Sequence, residues 1–150
     1  MGSRVQYATL YGVGVTAVVP VLVVTGPVGV GKTSVASELS ELLDRAGSPH
    51  AFVDMDSLRW CYPRPSGDRF RAKLALRNLA AIWPNFEAAG AKRLIVSEVV
   101  ESRDDLDRLA VAVPGADIYV VLLSASIDAL LARVERRELG AGRERHLERA

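Results

Sequence analysis

Gly26-Pro27-Val28-Gly29-Val30-Gly31-Lys32-Thr33, continued by Ser34, is the stretch from which the rest of the chain is read. Its fixed positions follow G-x-x-x-x-G-K-[ST], a loop that binds phosphate. Glycines at these places let backbone N–H groups turn inward around phosphate oxygens, and the following helix N-terminus adds its own donors. Lys32 is suited to reach the β- and γ-phosphates, and the Thr33 hydroxyl to bind Mg²⁺. The chain has only three lysines, and one of them stands here. The flanks agree with the loop. Val21-Leu22-Val23-Val24 before it reads as a buried parallel strand, and Val35, Ala36, Leu39, Leu42 and Leu43 after it recur at helical spacing, with Gly47 as a stop.

Composition bounds what surrounds this loop. The 150 residues are 49% hydrophobic and 25% charged, with 12 Gly and 7 Pro, the profile of one globular domain rather than a disordered chain. A formal net charge of +1 gives no electrostatic case for a nucleic-acid or membrane partner. Cys61 is the single cysteine, which excludes an internal disulfide framework and a cysteine zinc site. The apolar run Val13 to Val24 is broken by Pro20 and is shorter than the roughly twenty residues a helix needs to span a bilayer. Only Arg4 stands as a basic flank, and no A-x-A-like site closes the run, so a cytoplasmic enzyme is expected. Residues 1–17 form an extension to which the sequence assigns no role.

Beyond the first helix, strands and helices alternate. His50 to Asp54 reads as a second strand after the turn Gly47-Ser48-Pro49. Asp68 to Phe86 reads as a long helix with Phe70, Leu74, Leu79 and Trp83 on its apolar side, kinked or divided at Pro84 and ended by Gly90. Arg93 to Glu98 is a third strand. Ser102 with Asp105 offers a capping box for a helix to Val111. Ile118 to Leu123 is a fourth strand, and Ser126 caps a helix through Leu130 and Val134. The expected fold class is therefore α/β, a three-layer P-loop NTPase sandwich with a parallel sheet in a single domain.

Several kinds of nucleotide-binding protein are disfavoured by what the chain lacks. No N-K-x-D segment is present to read guanine, and the only D-x-x-G, Asp44 to Gly47, falls at the end of the first helix. The third strand ends Ser97-Glu98 where motor ATPases carry Asp-Glu. Directly after the second strand stands Asp54-Met55-Asp56-Ser57-Leu58-Arg59. With the phosphate loop, this Asp-x-Asp resembles the small-molecule P-loop kinases, the group of adenylylsulfate kinase, gluconate kinase and chloramphenicol phosphotransferase-like enzymes. The resemblance runs from Val21 to Arg137. It implies that Asp54 or Asp56 orients or deprotonates a substrate hydroxyl. Arg59 and the pair Asp68-Arg69 match positions of adenylylsulfate kinases. Arg133, Arg136 and Arg137 fall where related kinases place a lid over the nucleotide phosphates, a task suited to the arginine fork. Families of this shape have a fifth strand and a final helix after the lid, so the C-terminus is expected to be truncated.

ATP and Mg²⁺ are the expected cofactors, held by Gly26 to Ser34, with Thr33 and Glu98 on the metal side. Lys32, Asp54, Asp56, Arg133 and Arg137 are the expected catalytic residues. Asp54 is preferred as base and Asp56 is the alternative, since a carboxylate at a parallel strand's C-terminal end lies where open α/β sheets bind ligands. Both also suit helix-capping and turn positions. Asp56, Arg59 and Arg69 are placed at the acceptor, with Trp60 and Tyr62 as candidate pocket walls and Trp83 as a packing residue. His50, His146 and Cys61 are read as structural. The expected partner is a small molecule bearing a hydroxyl group. A regulatory nucleotide-binding module and a toxin-like kinase are the alternatives.

Overall fold

Runs of valine, isoleucine and leucine bounded by glycine and proline become the strands of a parallel sheet. The computed structural model describes residues 17–137, without the side chains of Arg136 and Arg137. The extension before residue 17, the Arg136 and Arg137 guanidiniums, His146 and the C-terminal end thus lie outside the described residues. Strand β1 (Val19–Thr25) leads through the phosphate loop to α1 (Lys32–Arg45). Next come β2 (Ala51–Asp54), a 3-10 turn (Met55–Arg59) and α2 (Ala72–Ala88). The chain continues through β3 (Leu94–Ser97), α3 (Arg103–Ala112), β4 (Ala116–Leu122) and α4 (Ile127–Arg137).

All pairings are parallel, and the strand order is β2-β3-β1-β4. Val21 and Val23 of β1 stand beside Leu94 and Val96 of β3, and Val96 in turn beside Val53 of β2. Because side chains alternate across a strand, these residues share one face. There they pack with Ala75, Leu79 and Trp83 of α2 and Leu109 and Ala112 of α3 in the main core. Val24 and Ile95 point to the other face, against Ala36, Leu39 and Leu43 of α1. Helices cover both faces, giving the expected three layers. No fifth strand stands beside β4 among the described residues, and Val120, Val121 and Leu122 there are exposed.

The second helix departs from its expected bounds. It starts at Ala72, not Asp68, because Gly67 (φ 70°) and Arg71 (φ 56°) both take left-handed backbone. Residues 68–71 instead form a turn, closed by Arg71 N–H donating to the Asp68 carbonyl at 2.9 Å. The Asp68 carboxylate accepts from the Leu74 N–H at 3.1 Å and thereby caps the helix from outside. Pro84 does not divide the helix, which runs on to Ala88. A proline removes one ladder bond, here near the C-terminal end, and adjacent Trp83, 1% exposed, anchors that turn in the core.

Candidate active site

The phosphate loop joins the C-terminal end of central β1 to the N-terminus of α1, so the sheet aims it at one edge of the molecule. Two glycines are dictated by close approach. Gly26 has φ 146°, and a Cβ there would meet the Leu123 carbonyl oxygen at 2.5 Å. Gly29 has φ 85°, and a Cβ there would stand 3.0 Å from Val134 Cγ2 and 3.3 Å from the Leu130 carbonyl oxygen. Helix α4 therefore rests directly on the loop. Helix α1 opens with no side-chain cap and no acidic residue in its first turn, the setting in which a helix N-terminus favours an anion. Lys32 is folded over the loop, its Nζ donating to the carbonyls of Gly26 at 3.0 Å and Pro27 at 3.1 Å.

Asp54, the last residue of β2, is brought to this loop. Thr33 Oγ1 donates to Asp54 Oδ2 at 3.1 Å, across 21 residues of sequence. The other carboxylate oxygen, Oδ1, accepts from the Asp56 N–H at 3.1 Å, so Asp54 also caps the 3-10 turn. The contact with Thr33 and the capping bond thus use different oxygens of one carboxylate. Thr33 and Asp54 together present a hydroxyl and a carboxylate, the hard oxygen donors that Mg²⁺ takes alongside nucleotide phosphates, and the ion fits this set. Ser34 follows Thr33 in the first turn of α1. Arg133 reaches the loop from α4, its Nη1 donating to the Val30 carbonyl at 3.2 Å.

Arg59, expected at an acceptor's charged group, is turned inward and is only 9% exposed. Its Nε donates to the Met55 carbonyl at 3.3 Å and lies 3.3 Å from Asp56 Oδ1. Its Nη1 donates to the Phe70 carbonyl at 3.2 Å, and its Nη2 binds Glu98 Oε2. The Glu98 carboxylate, placed in the sequence reading near the metal, is thus engaged by Arg59 and by the Val99 N–H at 2.7 Å. Burial pushes the Glu98 carboxyl above its ordinary value of 4.5, with the Arg59 charge pulling the other way. This pairing spans 39 residues and has no local sequence signal.

Between the ends of β2 and β3 and the helices α2 and α3 lies a cavity of about 160 Å³. Arg59, Glu98, Glu101, Asp105 and Arg108 form its polar wall, and Met55, Phe70, Leu76 and Leu109 its apolar one. Arg69 is not among the lining residues; its guanidinium sits 5.1 Å from the centre of the Phe70 ring. Trp60 and Tyr62 also stand outside this cavity, 77% and 67% exposed. His50 is held by Ser40 Oγ at 2.7 Å and the Ser48 carbonyl at 2.8 Å, a structural role.

No protein-family model matches the sequence. No curated protein matches it either. Solved structures do. A gluconokinase from Sinorhizobium meliloti 1021 is 25% identical, with a TM-score of 0.53 over 86% of this chain and 73% of its own. A sugar kinase from Janibacter sp. HTCC2649 is 22% identical, with a TM-score of 0.57 over 89% of this chain and 78% of its own. The APS kinase of Mycobacterium tuberculosis, solved with AMPPNP and APS, is 21% identical, with a TM-score of 0.59 over 79% of this chain and 69% of its own. These are P-loop small-molecule kinases, and the four-stranded parallel sheet with its helices is their α/β fold. Among the described residues no helix is long and apolar enough to cross a membrane.

Proposed function

We propose that the chain is a kinase that transfers the γ-phosphoryl group of ATP to a hydroxyl of a small molecule. The observation that carries this reading is the contact of Thr33 with Asp54, which sets a carboxylate at the mouth of a phosphate loop. The likeness to kinases of the same fold supports it. In this reading Gly26 to Ser34 hold the ATP phosphates through backbone N–H groups. Lys32 exchanges its bonds to the Gly26 and Pro27 carbonyls for phosphate oxygens. Thr33 and Asp54 would hold Mg²⁺, which would supply charge neutralisation to the phosphates.

The acceptor oxygen forms a bond to the γ-phosphorus as the bond to the oxygen bridging to the β-phosphate breaks, and ADP leaves. The hydroxyl proton passes to the Asp54 carboxylate. Arg133, already on the loop through Val30, moves its guanidinium to the transferring oxygens, where its fork compensates the developing charge. Most of the rate comes from positioning and charge compensation.

Asp54→Asn tests the assignment. ADP formation in the presence of a hydroxyl acceptor should fall by about 10²–10⁴-fold, the usual contribution of a positioned base, while ATP still binds. An Asp54→Asn protein that transfers at the wild-type rate refutes Asp54 as base. ATP binding by the wild type with no transfer to any hydroxyl compound favours a regulatory nucleotide-binding module instead.

A further inference from the structure

The cavity at the ends of β2 and β3 has a charge balance that bears on the acceptor. Three carboxylates line it, Glu98, Glu101 and Asp105, against two guanidiniums, Arg59 and Arg108. Neither cation is available to a ligand at no cost. Arg59 is already bound to Glu98 and Asp56 and to two backbone carbonyls. Arg108 is paired with Asp104 one turn earlier on α3. With Asp56 and Asp104 included, five carboxylates stand against these two guanidiniums and that of Arg69, which lies 5.1 Å from the centre of the Phe70 ring at the cavity wall.

Two of the lining carboxylates are also fixed in place, Glu98 by Arg59 and the Val99 N–H, and Asp105 at the start of α3. Burial works against ionisation of Asp105, yet bonds from the N–H groups of Glu101 and Ser102 and the Ser102 hydroxyl hold its carboxyl below the ordinary value. Asp105 is therefore charged at neutral pH. The Glu101 carboxylate is exposed at the cavity. The nearest further cations on α2, Lys73 and Arg77, line a separate groove between α2 and α3 rather than this cavity. An anionic ligand entering here would meet net negative charge and would have to displace a buried carboxylate from Arg59.

We infer that the cavity takes a neutral or cationic hydroxyl compound, a polyol or an amino alcohol, and discriminates against acceptors carrying a carboxylate, sulfate or phosphate. This inference rests on the kinase reading and narrows its acceptor. The apolar wall of Met55, Phe70, Leu76 and Leu109 covers the carbon skeleton, and the carboxylates accept from hydroxyl or ammonium groups.

Three six-carbon compounds differing only at C1 make the test: sorbitol, its amine glucamine, and gluconate. Each is offered to the full chain with saturating ATP and Mg²⁺, and ADP formed above the acceptor-free rate is followed with ATP binding. Sorbitol and glucamine are expected to give kcat/KM at least tenfold above gluconate. Glu101→Lys should narrow that gap at least threefold. Gluconate used as well as sorbitol, or a Glu101→Lys protein with an unchanged ratio, overturns the charge argument and leaves the kinase reading standing. ADP formed with none of the three, at undiminished ATP binding, overturns the polyol class. Failure of the wild type to bind ATP sinks the kinase reading beneath it.

Discussion

Asp54 and Asp56 are two residues apart and chemically alike, yet their surroundings separate them. Asp54 binds the Thr33 hydroxyl at the phosphate loop, whereas the Asp56 side chain is 75% exposed and leans on Arg59. Sequence reading could place both at the strand end but could not rank them on contacts, because Thr33 is 21 residues away. Glu98 makes the same point with a sign that can be measured. Its carboxyl is raised above 4.5 by burial, with Arg59 and the Val99 N–H partly offsetting and Asp56 reinforcing. A carboxyl whose folded pKa exceeds its unfolded value binds protons more readily when folded. Its contribution to stability therefore falls as pH rises from the unfolded value through the folded one. The stability of the wild type relative to Glu98→Gln should thus decrease as pH rises above about 4.5, read from denaturant midpoints across pH. A difference that grows with pH in that window contradicts the burial assignment.

At the scale of elements, the strands were the legible part. Val21-Leu22-Val23-Val24 and Leu94-Ile95-Val96 are near-continuous branched apolar runs, as strands buried on both faces require, and Ile118 to Leu122 is a run of the same kind although Tyr119 to Leu122 are exposed. The capping box of α3 was legible too, since Ser102 and Asp105 exchange bonds with each other's backbone. Removing it with Ser102→Ala should cost about 1 kcal/mol, seen as a lower denaturant midpoint at constant slope. A loss below a few tenths would show that the rest of α3 suffices. The start of α2 was not legible. Asp68-Arg69-Phe70 continues the helical period, but the left-handed Arg71 breaks it, and non-glycine residues seldom announce a positive φ. That conformation is held by distant partners, including Arg71 Nη1 on the Cys61 carbonyl at 3.3 Å. Strand order β2-β3-β1-β4 likewise depends on contacts that no local pattern encodes.

Taken as a whole, the molecule brings three separate segments to one loop. Strand β2 delivers Asp54, α4 delivers Arg133, and β1 with α1 frame the glycines between them. Nucleotide that binds this assembly must stabilise it. At a hundredfold excess over Kd the gain is about 2.7 kcal/mol, which for a chain of this length raises Tm by roughly 5–10 °C. A thermal melt with and without ATP·Mg²⁺ reads this directly, and an unmoved Tm under saturating nucleotide would show that the loop is not a nucleotide site. Transfer itself is the central claim, and Lys32 is its most direct handle. Phosphorylated acceptor, detected by mass spectrometry after incubation with ATP·Mg²⁺, should form with the wild-type chain and be absent with a folded Lys32→Ala protein. Product formed by Lys32→Ala at the wild-type rate would contradict the account.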